Sequence, residues 1–218
     1  MRRSQGPRGS RTRGLVLTGL SIALIAVGAF ITVPLGPVPF TLQTLMVGIV
    51  VCLLPPAYSV AAVGGYLALG CLGLPVFSGL RGGIGVLAGP TGGFLVGFLL
   101  AALVIAVLRS WLLFASDNAA QAARRAPTAR EAAAQVSRRF SRRSSWLLPL
   151  LDVISLLVLS LLFYTLGCLW FMVSTGATFE AALAACVLPF VIPDILKSVA
   201  AFLCVQPVRA ALGVQLHA

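Results

Sequence analysis

Three ionisable residues stand inside otherwise uncharged stretches of this sequence and could bind a ligand. Arg81 is the only charged residue between Arg13 and Arg109, and glycines lie around it. Asp194 and Lys197 are three residues apart, so on a helix both side chains lie on one face. Two cations and one anion suit a ligand that has a carboxylate and also offers a hydrogen-bond donor. We therefore predict a ligand-binding site formed by Arg81, Asp194 and Lys197.

Lys197 is the only lysine of the protein, and it lies in an apolar run. A lysine at the centre of a membrane span costs about 2.5–3.5 kcal/mol on insertion scales, so it usually has a partner and a function. Pro193 fits the first turn of a helix, which places Asp194 and Lys197 in its first two turns, near the positive end of the helix dipole. Two alternatives stay open: a self-neutralising Asp194–Lys197 pair, and an Arg81 that is merely solvated in a mobile connector.

Two irregular segments are expected to form the walls of this site. Residues 73–93 include eight glycines in 21 residues, a density that disfavours a regular helix and lets the backbone approach a ligand closely. Residues 31–40 contain three prolines and should be non-helical. Thr41 and Gln43 follow directly, at the start of the next apolar run.

The composition predicts an integral membrane protein. Of its 218 residues, 59% are apolar and 10% charged, whereas soluble domains average about 25% charged residues. We predict an all-α fold of six transmembrane helices that forms one membrane domain, residues 15–218. The six spans are expected at residues 15–33, 41–54, 57–71, 94–108, 146–173 and 185–212. For the first span, a cleavable signal peptide is the alternative.

Arginine distribution predicts the orientation of these spans. Five arginines precede the first span in a basic tail, residues 1–14, which we expect to be disordered. Eight lie in residues 109–145, and Arg209 lies at the end of the last span. The positive-inside rule places these segments, and with them the N and C termini, in the cytoplasm. Residues 109–145 would be a soluble, Arg-rich cytoplasmic loop, partly helical along an anionic membrane surface. The segments expected outside, as re-entrant or irregular loops, are 31–40, 73–93 and 174–184.

Several other classes of function are disfavoured. The arginines flank apolar spans, so we expect no nucleic-acid partner, and the five cysteines show no C-x-x-C spacing. No phosphate-binding G-x-x-x-x-G-K-[ST] motif occurs, and the single histidine is His217. We therefore expect no catalytic residues, no metal site and no enzyme activity. Asp152, close in sequence to Arg142 and Arg143, is predicted to be a helix-start carboxylate or an ion-pair partner.

Small residues mark one stretch of the first span. Gly19 and Ala23 form a small-x-x-x-small pair, and Ala26 follows them. Such residues permit close approach of another helix. The approaching helix could belong to this chain or to another protein.

Five short runs resemble the BioY family, the biotin-binding S components of energy-coupling-factor (ECF) transporters. They are PVPFTLQTL (37–45), YLALGCLGLPVF (66–77), RGG (81–83), GPTGG (89–93) and LPFVIPDILK (188–197). The resemblance covers roughly residues 15–108 and 146–212. The sequence departs from the family at Pro193, where glycine is more frequent, and in the long segment 109–145.

The resemblance implies a six-helix S component that captures biotin from outside and delivers it inward. Its partners would be an ECF transmembrane coupling protein and two ATPase subunits in a prokaryotic plasma membrane, with ATP used only by the partners and no cofactor here. Arg81, Asp194 and Lys197 would contact biotin, together with Thr41, Gln43 and Phe77. The first helix would dock through Gly19, Ala23 and Ala26. The alternatives are an S component for another vitamin and a stand-alone carrier that needs no ATPase.

Overall fold

A computed structural model describes residues 7–34, 36–125 and 130–212. Within its helices, the side chains of residues 7–11, 113, 116, 117, 119–125, 130–146 and 212 are not described. The elements, in chain order, are α1 (Pro7–Phe30), β1 (Thr32–Val33), β2 (Phe40–Thr41), α2 (Gln43–Leu53), α3 (Pro56–Cys71), α4 (Gly85–Ala88), α5 (Gly92–Arg125), α6 (Arg130–Thr175), α7 (Phe179–Cys186) and α8 (Val191–Leu212).

The helices are those of an integral membrane protein, as predicted. By length and composition, four segments can cross a membrane: Thr12–Phe30, Gly92–Leu112, Leu147–Thr175 and Val191–Ala211. The helices α2 and α3 are also apolar, but they are shorter, with 11 and 16 residues. The fold is therefore a helical membrane bundle with four clear spans and two short apolar helices.

The two irregular segments were predicted correctly. Strands β1 and β2 form a small antiparallel ribbon in which Thr32 pairs with Thr41 and Val33 with Phe40. The glycine-rich stretch 73–93 has one helical turn, α4, before α5 begins. Pro193 lies in the first turn of α8, where an N–H group has no acceptor within the helix, so the N–H that proline lacks costs no hydrogen bond.

Three predicted boundaries were wrong. Helix α1 already begins at Pro7, inside the expected disordered tail. Helices α5 and α6 extend to Arg125 and back to Arg130, so most of the expected loop 109–145 is helical, as its alanines and arginines favour. The expected turn 174–184 contains the start of α7, whose N-cap Thr178 accepts a hydrogen bond from the amide of Ala181.

Helix α2 lies in the centre of the bundle. Val47, Val50 and Val51 are each at most 1% exposed. A Cβ atom placed on Gly48 would lie 2.9 Å from the Leu156 side chain and 3.5 Å from the Ala201 Cβ atom. This glycine thus lets α2 approach α6 and α8 closely, and α2 becomes the fixed element that positions the residues at its two ends.

Candidate ligand-binding site

A cavity of about 540 Å³ opens at the end of the bundle where the β1–β2 ribbon meets the glycine-rich segment. We call this the cavity end. Its volume lies within the range of about 300–1,000 Å³ usual for small-molecule sites. The rings of Phe77, Phe94, Phe98 and Phe163 supply much of the apolar wall, and Thr41, Gln43, Ser78, Arg81 and Thr91 supply the polar groups. The cavity therefore suits a ligand that is partly apolar and carries a polar end.

Backbone geometry in the glycine-rich segment presents Arg81 to the cavity. The chain turns back between Phe77 and Arg81, whose backbones exchange hydrogen bonds of 3.0 and 3.3 Å. The turn uses positive φ angles at Gly79 (71°) and at Leu80 (58°). At Gly82, a Cβ atom would lie 2.4 Å from the Leu74 carbonyl oxygen, so only glycine fits this close approach.

Two polar groups of the cavity wall have no partner in the part of the chain that the structure describes. The Arg81 side chain is exposed and makes no hydrogen bond or ion pair there. The Gln43 side chain is buried, 4% exposed, and its Nε2 atom has no hydrogen-bond acceptor. A buried amide donor without an acceptor is costly, and no acidic side chain is among the residues that line the cavity. The cavity thus offers one cation and one free amide donor to an acceptor-rich ligand.

Asp194 and Lys197 lie beside this cavity, not in its lining. Their recess shares Val38, Thr41 and the Phe94 and Phe163 rings with the cavity. The Lys197 Nζ atom is 2.6 Å from the Asp194 Oδ1 atom, and both residues are buried. The predicted one-face pair is therefore present, with the Thr41 residue between it and the main cavity.

The ammonium of Lys197 already has three acceptors. It donates to the Asp194 carboxylate at 2.6 Å, to the Thr41 carbonyl oxygen at 2.7 Å and to the Thr44 hydroxyl at 3.2 Å. It also lies 3.7 Å from the centre of the Phe40 ring. All three N–H bonds of the ammonium are used, so direct contact with a ligand requires Lys197 to release one of these acceptors.

Sequence reasoning missed two further members of this group. Tyr164 of α6 donates a hydrogen bond to the Asp194 Oδ2 atom, and Thr44 donates one to the Oδ1 atom at 3.3 Å. A tyrosine hydroxyl in an apolar span is only a weak indication of a buried polar site, because many tyrosines of membrane spans lie at the membrane interface. Thr44 was noticeable only as a polar residue near Thr41 and Gln43.

The structure thus brings together four of the six predicted ligand residues around one cavity: Thr41, Gln43, Phe77 and Arg81. Asp194 and Lys197 form a neighbouring ionic pair that touches the cavity through Thr41. Two of the segments expected outside, 31–40 and 73–93, also meet here, and the residues that follow α7 lie next to them. Thr32 lies 3.4 Å from Ser78 between their hydroxyls, and the Phe40 ring stacks on Phe190 at 6.4 Å between centroids.

The small residues of α1 divide between two faces. Gly19 and Ala23 are exposed, and nothing lies within 4 Å of a Cβ atom built on Gly19. Ala26 is buried in the core, 8% exposed. Gly19 and Ala23 therefore do not serve internal packing among the described residues, whereas Ala26 does.

A second buried ionic group lies far from the cavity, at the opposite end of the membrane-spanning parts of α5, α6 and α8. The Asp152 carboxylate accepts from Arg209 at 2.8 and 2.9 Å, from Arg109 at 3.3 Å and from Gln206 at 3.2 Å. The predicted ion pair of Asp152 is present, but its partners are these two arginines. Arg109 is 1% exposed within a membrane-spanning segment, so its assignment to a soluble loop was wrong.

The fold and the cavity together define a helical membrane protein with a cavity at one end of its bundle that suits a small, partly apolar ligand. The chain belongs to the BioY family, whose model matches residues 1–214. It is 30% identical over 191 residues to the probable biotin transporter BioY of Pyrococcus horikoshii, an alignment that covers 88% of this chain and 93% of the relative.

Other relatives match a shorter segment. The chain is 52% identical over 96 residues to the biotin transporter BioY of Thermotoga maritima and 48% identical over 97 residues to the biotin transporter BioY2 of Lactococcus lactis. These alignments cover 44% of this chain and 57% and 51% of the two relatives, so the chain aligns with only about half of their length. These relatives bear the names of transporters, which supports the prediction that the protein is not an enzyme.

A solved structure has the same fold. The crystal structure of the S component for biotin from an ECF-type ABC transporter superposes with a TM-score of 0.72 and 21% sequence identity. The superposition covers 94% of this chain and 95% of the other. The bundle is therefore an S-component fold.

Proposed function

We propose that this protein is the substrate-specific membrane subunit that captures biotin from outside the cell and delivers it inward with an ECF coupling protein and two ATPase subunits. The observation that carries this proposal is the cavity, with its free Arg81 cation, its unpartnered Gln43 amide and its phenylalanine walls. The relatives named as biotin transporters give the ligand its identity.

Biotin matches the chemistry of this cavity. Its valerate carboxylate can accept hydrogen bonds from the Arg81 guanidinium and the Gln43 amide, and such charge-assisted bonds are among the stronger ones. Its thioether ring can pack against Phe77 and the other rings. Its ureido group offers N–H donors, for which Asp194 is the nearest buried carboxylate. We propose that Lys197 joins the ligand contacts by exchanging the Thr44 hydroxyl, its longest contact at 3.2 Å, for a ligand oxygen.

The direct test is a titration of detergent-purified protein with biotin, alongside riboflavin and thiamine. We expect saturable binding of biotin and none of the other two vitamins. Tight binding of another vitamin would instead indicate an S component of different specificity. Biotin uptake by cells that express this chain without ECF partners would indicate a stand-alone carrier.

We also propose six spans, with α2 and α3 completing the four longer ones, in the plasma membrane of a prokaryote. Both termini and the residues around Ala120 would then be cytoplasmic, and the cavity end external. Topology reporters fused at Ala120 and Ala218 should read cytoplasmic, and one at Ser78 external. An external signal at Ala120 would refute the six-span arrangement.

A further inference from the structure

Helix α2 ends with two backbone carbonyls that cannot be satisfied by the chain that follows. In a continuing helix, the Val51 and Cys52 carbonyls would accept from the amides of residues 55 and 56. Both of these residues are prolines, which have no N–H to donate. Val51 and Cys52 are buried, at most 1% exposed, so water does not replace the missing donors. These carbonyls need donors from elsewhere in the bundle.

The two buried arginines supply those donors. Arg109 of α5 donates to the Val51 carbonyl at 2.7 Å, and Arg209 of α8 donates to the Cys52 carbonyl at 2.8 Å. Asp152 of α6 holds both guanidinium groups at once. Three helices thus meet at the end of a fourth, and each arginine links the Asp152 carboxylate to one α2 carbonyl.

The charge of this group fits the role of a cap. Two arginines against one carboxylate leave a net positive charge in a buried place. The C-terminal end of a helix carries a partial negative charge of about half a unit, which favours cations. The excess positive charge therefore lies where its attraction to the dipole of α2 can offset part of the cost of burying it.

The opposite end of α2 carries residues of the candidate ligand site. Gln43 is its first residue, Thr44 its second, and the Thr41 carbonyl just before it accepts from Lys197 of α8. From Gln43 to Cys52 α2 covers about 14 Å, and from Lys197 to Arg209 α8 covers about 18 Å, at 1.5 Å per residue. Lys197 of α8 therefore donates to the chain at the N-terminal end of α2, and Arg209 of α8 donates at its C-terminal end. Between these two contacts, Gly48 lets α2 and α8 pack closely.

We propose that Arg109 and Arg209, held by Asp152, cap the C-terminal end of α2 and act as positioning residues for the ligand site at its N-terminal end. This inference rests on the proposed ligand site, because the effect on affinity needs that site. A helix fixed at both ends cannot slide or rotate relative to α8. Gln43 and Thr41 are then held at the cavity wall with the spacing that the ligand requires.

The test uses detergent-purified full-length protein and hydrogen–deuterium exchange. The variant Arg209→Gln removes one cap, and Arg209→Lys keeps the charge but loses the second N–H contact of the guanidinium. Ser155→Ala is a control on α6, because it removes a buried hydrogen bond within that helix, to the Leu151 carbonyl. We expect Arg209→Gln to speed amide exchange about tenfold both at residues 50–54 and at the remote residues 44–48, with a smaller effect for Arg209→Lys. Faster exchange at residues 50–54 alone, in a variant that is still folded, would overturn the positioning role. If Arg209→Gln does not fold, Arg209→Lys decides by the same criterion.

Biotin binding gives the second readout. We expect Arg209→Gln to weaken biotin binding by about tenfold at a temperature where the variant is fully folded, and Ser155→Ala to leave it unchanged. Because coupling between two sites is reciprocal, saturating biotin should also slow exchange at residues 50–54 of the unaltered protein. Unchanged affinity together with no slowing would overturn the proposal. If the unaltered protein binds no biotin, the proposed function fails, whereas the exchange at residues 44–48 still decides whether the cap positions α2.

Discussion

Among the residues that the structure describes, two ionic groups are buried, and they differ in construction and in surroundings. The Asp194–Lys197 pair comes from one helix, is electrically neutral and lies beside the ligand cavity. The Arg109–Asp152–Arg209 group comes from three helices, has an excess positive charge and satisfies the end of a fourth helix. The first group is thus placed to respond to a ligand, and the second is placed to hold helices together.

This difference bears on what a buried charge can indicate. A buried ion pair is weak evidence for stability, because well-packed apolar residues can often replace it, whereas removing one partner is strongly destabilising. The cavity beside the Asp194–Lys197 pair indicates a binding role for that pair. The helix carbonyls that accept from Arg109 and Arg209 indicate a structural role for the second group. Breaking the Arg109–Asp152–Arg209 group should therefore cost more stability than breaking the Asp194–Lys197 pair.

The largest effect is expected from Asp152→Asn. It leaves two buried arginines without a carboxylate, a change that typically costs about 3–5 kcal/mol. Asp194→Asn should cost less, since Lys197 keeps the Thr41 carbonyl, the Thr44 hydroxyl and the Phe40 ring. Thermal unfolding in detergent measures both. An equal or greater loss of stability in Asp194→Asn would contradict the contrast between the two groups.

The next effect concerns affinity. Arg81→Ala and Lys197→Ala each remove a cation proposed to contact biotin, and hydrogen bonds to charged groups contribute roughly 1.5–3 kcal/mol. Biotin affinity should fall about 10- to 100-fold in each. Arg81→Ala should leave the unfolding temperature unchanged, because its side chain is exposed and bonds to no described residue. Lys197→Ala should lower that temperature as well, since Asp194 loses its counter-charge.

The double variant Asp194→Asn with Lys197→Gln sharpens this contrast further. It keeps the pair neutral, so we expect folding and expression to recover without recovery of biotin binding. Isothermal titration of the purified variant measures the binding. Normal affinity in a well-folded double variant would mean that the pair is only a buried salt bridge and that the ligand contacts lie elsewhere.

A smaller effect is expected from Tyr164→Phe. The hydroxyl that fixes the Asp194 Oδ2 atom is lost, while Lys197 and Thr44 still hold the Oδ1 atom. Biotin affinity should fall by a factor of roughly 2 to 5, less than the factor of ten that 1.4 kcal/mol represents. The same change in the Asp194→Asn, Lys197→Gln background should have no further effect on binding. A further loss there would mean that Tyr164 contacts the ligand itself.

The smallest effect on binding is expected on the exposed face of α1. We propose that Gly19 and Ala23 dock to the ECF coupling protein, with Ala26 packing behind them. Leucine at both Gly19 and Ala23 should leave biotin affinity unchanged and abolish ATP-dependent uptake in cells with the ECF partners, because docking needs close helix approach. Loss of binding together with uptake would instead indicate that this face packs within the chain.

Much of the fold could be predicted from sequence patterns that extend over only a few neighbouring residues. Apolar runs, proline clusters and glycine density predict spans and irregular segments, because a membrane leaves the backbone few alternatives to the helix. The Asp194–Lys197 pair was predictable for the same reason, since residues three apart share a helix face. Residues 109–145 were expected to be only partly helical, whereas α5 and α6 extend through most of them; Arg109 was assigned to a soluble loop because arginine was taken as a sign of one.

The sequence by itself determined the membrane class, the positions of the main helices and four residues of the cavity wall, namely Thr41, Gln43, Phe77 and Arg81. Only the tertiary structure decided that Arg109 and Arg209 meet on Asp152, 43 and 57 residues away. It alone also decided that Tyr164 donates a hydrogen bond to Asp194 and that Lys197 donates one to the Thr41 carbonyl. Helical periodicity relates residues within one element, whereas contacts between elements depend on how the helices pack, which no local pattern encodes.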